Sequence, residues 1–135
     1  TDTELGFSLL EEKGCDEIWI IGGGGGRADH LFAIRSLFER ETCPARWITA
    51  GEDVYCLSAP GELALDAGAG GLLSVFPLGS GPWRARSAGL KWPLDSLPWS
   101  RGFFGLSNET ETGNFSIRAE AGRFMVIVPE IGRVR

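Results

Sequence analysis

The chain has 135 residues and carries 13 Lys and Arg against 18 Asp and Glu, a formal net charge of −5. Its 43% hydrophobic and 23% charged content excludes a disordered chain, and the length suits one ordinary domain or pieces of two small ones. No apolar run approaches the roughly 20 residues that cross a bilayer, no charged-then-apolar leader opens the chain, and an acidic balance without a Lys/Arg cluster argues against nucleic acid as a partner.

The first forty residues read as helix, strand, glycine run, helix. Thr1-Asp2-Thr3-Glu4 has the cap-then-carboxylate pattern that opens helices. Leu5, Leu9 and Leu10 make a narrow apolar stripe, and Gly14 is a natural stop. Glu17 to Ile21 is a short apolar, β-branched run bounded by glycine, the pattern of a buried parallel strand. Gly22 to Gly26 follow, and Leu31, Ile34, Leu37 and Phe38 then repeat at helical spacing from about Asp29. This is the grammar of an α/β layer with too few elements to close a sheet. It predicts an α/β remnant over 1–44, helix–strand–helix, whose opening part lies upstream.

From about Ala45 the grammar changes. Arg46–Thr49, Asp53–Leu57, Leu72–Phe76 and Trp83–Arg86 are short strand-like runs separated by Gly, Pro, Asp or Ser. Asn114 to Glu120 alternates apolar and polar, which predicts one wet and one buried face. Arg123 to Val128 follows across Ala121-Gly122, a gap with hairpin character. Roughly seven or eight short strands imply an all-β antiparallel sandwich or barrel over 45–135. The 20 glycines and 7 prolines supply its tight turns.

Cys15, Cys43 and Cys56 are odd in number and widely spaced, and His30 is the single histidine. That excludes a structural zinc site. It predicts reduced, mostly buried thiols in a cytoplasmic protein, with nothing electropositive near them.

Three segments carry chemistry. A glycine run between strand and helix lets backbone approach an anion at the positive end of the helix dipole. It is no dinucleotide fingerprint, because Arg27 stands where the third glycine belongs, and no Lys-Ser or Lys-Thr makes it a Walker A loop. Arg27 is a cation suited to a bidentate phosphate grip. Asp29 suits a metal, a hydroxyl proton or a helix cap, and His30 suits packing or capping more than catalysis. In Gly89-Leu90-Lys91-Trp92-Pro93-Leu94, a Pro-stiffened Trp92 is either a stacking surface for a flat cationic ring or a core residue. In Gly105-Leu106-Ser107-Asn108-Glu109, Ser107 and Asn108 supply a hydroxyl and an amide, in what is also ordinary turn chemistry.

In this order, Gly-Gly-Arg-x-Asp-His, Gly-Leu-Lys-Trp-Pro-Leu and Gly-Leu-Ser-Asn-Glu resemble the thiamine pyrophosphokinase family. Thr1-Asp2 resembles the end of the family's Lys-Asp-x-Thr-Asp segment, and this mid-motif start favours a truncated chain. The resemblance covers essentially the whole chain but only the later part of the family's length. It implies an α/β domain followed by an all-β domain, working as a homodimer with shared active sites. The implied reaction converts ATP and thiamine to thiamine diphosphate and AMP with Mg²⁺. Asp2 would hold the metal or the substrate hydroxyl, with Thr1 beside it. Arg27 with Gly25 and Gly26 would take phosphate, and Asp29 would orient the hydroxyl or accept its proton. Trp92 would stack on thiamine, bordered by Ser107 and Asn108. Two departures stand out. Ile34 replaces the family's usual Asn, and the upstream Asp-x-Asp site is absent, which leaves Mg²⁺ few ligands. The alternative is a non-catalytic thiamine-binding or dimerisation module.

Overall fold

The computed structural model describes residues 1–130. In chain order the elements are α1 (Asp2–Glu12), β1 (Trp19–Ile21), α2 (Ala28–Leu37), β2 (Arg46–Ile48), β3 (Glu52–Ser58), β4 (Gly61–Asp66), β5 (Leu72–Leu78), β6 (Arg84–Ala88), a 3-10 turn at Leu94–Ser96, β7 (Gly105–Glu109), β8 (Asn114–Ala121) and β9 (Arg123–Pro129). The strands form a six-stranded sheet, β1-β2-β3-β9-β5-β7, and a three-stranded sheet, β4-β8-β6. Both are open, so the architecture is a sandwich. β1 pairs with β2 in parallel, and every other ladder is antiparallel. This is the predicted α/β start followed by a β-rich part. The large sheet runs without interruption from β1 into β2.

The large sheet carries a core on each face, and β9 shows why. Phe124, Val126 and Val128 point towards the small sheet, packing with Leu57, Leu73, Val75, Phe115 and Ile117. Met125 and Ile127 point the other way, onto Ile34 and Phe38 of the α2 segment with Trp47, Val54 and Leu78. A strand buried on both faces reads as a continuous apolar run, which is what residues 124–128 are. β8 has its small-sheet position because its alternation is strict: Phe115, Ile117 and Ala119 are buried, while Asn114 and Arg118 face outward.

α1 begins as the sequence predicts. The Thr1 hydroxyl accepts from Glu4 N at 3.2 Å, and the Glu4 carboxylate accepts from Thr1 N at 3.4 Å, a reciprocal cap. It ends with Gly14 N donating to Glu11 O and Cys15 N to Leu10 O, the paired closure of a Schellman turn. Its one buried side chain is Phe7, while Leu5, Leu9 and Leu10 of the predicted stripe are exposed.

Four expectations are corrected. β1 is parallel but not buried: it is the sheet's edge, with Trp19 49% and Ile21 78% exposed. β8 and β9 do not form a hairpin. They are joined by Gly122 alone and belong to different sheets. Gly122 has φ +76°, which lets a single residue turn the chain from one layer to the other. Cys15 is exposed and Cys43 and Cys56 are only half-buried, and Arg123 supplies a positive charge beside Cys43. β4 and β7 were not among the predicted strands.

Candidate functional site

The glycine run links the end of β1 to α2, under tight control. Gly22 N donates to Ile48 O at 2.8 Å, and Gly22 O accepts from the Trp47 indole at 2.7 Å. A Cβ on Gly24 would lie 2.6 Å from Thr49 Cγ2. Gly25 and Gly26 have φ +84° and +79° with open space beside them. Gly22 is thus tied by backbone hydrogen bonds, Gly23 and Gly24 pack closely, and the last two glycines present backbone to solvent. Ile34, at the position of the family's Asn, is 7% exposed and supports the loop from below. Its Cδ1 would sit 2.9 Å from a Cβ on Gly23.

Arg27 is the N-cap of α2 and makes no side-chain cap. Its guanidinium instead donates to Asp29, through Nε at 3.1 Å and Nη2 at 2.5 Å, and Asp29 Oδ1 also accepts from His30 N at 3.0 Å. The Arg27 guanidinium holds the Asp29 carboxyl below the usual carboxylate range, with the His30 amide helping. Asp29 is thus an anion at neutral pH. Both side chains are mostly exposed, 76% and 59%, so the pair contributes little stability and a phosphate can compete for Arg27. Around the corner lies a cleft of about 380 Å³ between the start of α1, the glycine loop and α2. Thr1, Asp2, Gly23, His30 and Ile34 line it. The fold thereby gathers Asp2, Thr1 and the α2 N-terminus around one side of the molecule. His30, which the sequence suits to packing or capping more than to catalysis, shares this cleft with Asp2.

The second group lies in the β part. Trp92 is 51% exposed, which settles the choice between core and surface. Its backbone is clamped by Asn108: Oδ1 accepts from Trp92 N at 3.2 Å and Nδ2 donates to Trp92 O at 2.7 Å. Asn108 Oδ1 also accepts from Glu109 N at 2.9 Å, and the residue is 6% exposed. Its amide is therefore committed to holding the Trp92 loop, leaving the ring to do the contacting. Lys91 Nζ stands 4.7 Å from the Trp92 ring centroid and pairs with Glu109 at 2.7 Å, so one part of the indole already carries a cation. Ser107 is exposed with φ +55°, the single non-glycine residue with positive φ among the described residues. That strain sits beside Asn108, where β7 crosses an irregularity opposite Leu73–Val75, and it is the kind found at binding sites.

The two groups are carried by strands at opposite edges of the large sheet, β1 and β7. The glycine loop and α2 follow β1, whereas Ser107 and Asn108 are on β7. Five interstrand spacings of about 4.8 Å separate those edges, roughly 24 Å. Among the described residues no three His, Cys, Asp or Glu side chains converge as a metal cage. The residues present do not fit a protein-held magnesium. Asp2 can offer one carboxylate to an ion that arrives with a substrate. No helix of the described residues is long and apolar enough to cross a membrane.

No family model matches the chain, and no curated protein matches it by sequence. Solved structures do. Thiamine pyrophosphokinase from Bacillus subtilis superposes over 96% of this chain and 62% of its own, with TM-score 0.71 and 26% identity. Thiamin pyrophosphokinase from Geobacillus thermodenitrificans covers 96% of this chain and 61% of its own, with TM-score 0.70 and 24% identity. The Candida albicans enzyme, at 16% identity and TM-score 0.62, covers 84% and 44%. The chain thus spans less than two thirds of the length of these proteins. The family resemblance carried by the motifs is borne out by this likeness of fold.

Proposed function

We propose that the chain is the phosphate-gripping and thiamine-stacking portion of a thiamine diphosphokinase, which transfers a diphosphate from ATP to thiamine and releases AMP. The thiamine hydroxyl attacks the β-phosphorus and AMP leaves, so the site must neutralise triphosphate charge and align an alcohol. Gly25 and Gly26 offer backbone to the phosphates, and Arg27 exchanges Asp29 for phosphate oxygens. Asp29, freed from Arg27 and ionised, then accepts the hydroxyl proton. Asp2, with Thr1, faces the neighbouring cleft, where its carboxylate would meet a magnesium ion brought by the nucleotide. Trp92 stacks on the thiamine ring with Ser107 at its border, and Asn108 acts as a positioning residue for Trp92. The solvent-facing exposure of both groups on firmly held backbone supports this reading.

Their separation across the sheet shapes it further. With the glycine loop following one edge strand and Ser107 and Asn108 on the other, the working unit is a homodimer in which each site takes its phosphate side from one copy and its stacking side from the other. Production of AMP and thiamine diphosphate from ATP, Mg²⁺ and thiamine, read by chromatography, tests the reaction. Absence of product would sink the kinase reading for this chain alone. Mixing Asp29→Asn and Trp92→Ala chains tests the sharing, because a mixed dimer rebuilds one intact site and regains activity that neither variant has. Without recovery, the shared site is wrong. The absence of a convergent metal-ligand set among the described residues favours the second reading, a module that binds thiamine without transferring phosphate. Retained thiamine binding with no product would identify it.

A further inference from the structure

Away from both motif groups, Cys43 and Cys56 place their sulfurs 3.2 Å apart. Cys43 lies in the loop after α2, and Cys56 lies in β3. Two local devices bring them together. The turn between β2 and β3 folds Ala45 beside Cys56, whose N–H donates to Ala45 O at 3.0 Å. Arg123, at the head of β9, fastens the other side of the loop: its Nη1 donates to Phe38 O at 3.1 Å and Arg40 O at 2.6 Å. The same guanidinium reaches the Cys43 sulfur. Both thiols are free and half-buried, so a small reagent has access to them.

The thiolate is the reactive form of cysteine. The hydrogen bond from the Cys56 thiol, then the Arg123 guanidinium, bring Cys43 down to about 6, against the burial that opposes ionisation. Cys56 is pushed up, first by its hydrogen bond to Cys43 and then by burial. The pair therefore keeps one proton between two sulfurs at neutral pH, with Cys43 as the thiolate and Cys56 as the thiol.

We propose that Cys43 and Cys56 form a dithiol–disulfide switch that reacts with low-molecular-weight disulfides. The Cys43 thiolate attacks one sulfur of the reagent disulfide, giving a mixed disulfide and releasing one small thiolate. That thiolate takes the Cys56 proton. The Cys56 thiolate then attacks the Cys43 sulfur, forming the intramolecular bond and expelling the second small thiolate, which is protonated by solvent. Two protein thiols are oxidised, and one reagent disulfide is reduced to two thiols. The sulfurs need close only from 3.2 Å to about 2.05 Å. The bond ties the loop at the far end of α2 to β3. The switch stands independently of the diphosphotransfer reading.

The test is incubation of the chain with oxidised glutathione, followed by intact mass and a non-reducing peptide map. The expected product is lighter by two hydrogens, links the Cys43 and Cys56 peptides, and leaves Cys15 open to alkylation. Cys56→Ser should stop at a glutathione adduct on Cys43. In the unmutated chain, the rate of Cys43 alkylation by iodoacetamide should level off by pH 7. A product carrying glutathione on Cys15 alone, or crosslinked between chains through Cys43, overturns the proposal. So does a Cys43 alkylation rate that keeps rising about tenfold per pH unit through pH 8.

Discussion

Asn108→Ala is the perturbation that best separates the Trp92 clamp from the rest of the β part. The side chain makes three hydrogen bonds, two to the Trp92 backbone and one to Glu109 N, each contributing about 1 kcal/mol net. Water can reach the Trp92 loop, so its two bonds belong at the low end, and the expected loss is about 2 kcal/mol. With a urea slope of about 1–3 kcal/mol/M, the midpoint should fall by roughly 1–2 M at unchanged slope. Asn108→Asp sharpens the test. It keeps the acceptor but sets a carboxylate against the Trp92 carbonyl, so the folded state raises the new group's pKa above its unfolded value of about 3.9. A raised carboxyl pKa gives stability present below the unfolded pKa and lost as pH rises. This variant should therefore lag the parent more at pH 7 than at pH 4. A loss below about 0.5 kcal/mol for Asn108→Ala would refute the clamp, as would an Asn108→Asp deficit independent of pH.

Trp92→Ala should weaken thiamine binding, read by calorimetry, by about 1–3 kcal/mol while leaving the urea midpoint nearly unchanged, because the ring is half exposed. Asp29→Asn should cut diphosphate formation by about 10²–10⁴-fold. Because Arg27 holds Asp29 below the usual carboxylate range in the free chain, the pH profile of kcat/KM should show no loss from Asp29 protonation across that range. Gly24→Ala should cost about 1–3 kcal/mol in urea unfolding, because the new methyl meets Thr49 Cγ2 at 2.6 Å and Thr49 is held by bonds to Gly51, Glu52 and its own turn. Oxidising Cys43 and Cys56, 13 residues apart, should raise the urea stability by about 3 kcal/mol; no rise would place equal strain in the native loop.

Legibility followed periodicity. β8 and β9 declared themselves because one alternates strictly and the other is continuously apolar. β4 also alternates, but its outward Ala64 blurs the contrast between Leu63 and Leu65. β7 was hidden because the positive φ at Ser107 and the irregularity against β5 break its alternation. β1 looked buried because apolar residues ignore what covers them, and Trp19 and Ile21 lie on a sheet edge. The candidate residues were legible as motifs, whereas their distribution to opposite edges was not, since it depends on β9 inserting between β3 and β5. The commitment of Asn108 to Trp92, and of Arg27 to Asp29, is likewise a matter of who meets whom. The thiol pair escaped notice for the same reason: Cys43 and Cys56 become neighbours only once the turn after β2 has folded back.

The central place of β9 has a consequence for biosynthesis. It is the last to be synthesised of the strands among the described residues, yet it completes both cores and joins β3 to β5. On the ribosome, β3 and β5 must therefore wait with open, apolar edges until residues 123–129 emerge. Such edges pair readily with neighbouring chains. A nascent chain stalled just short of Arg123 should be held by chaperones, and one released there should aggregate rather than persist as a smaller folded piece.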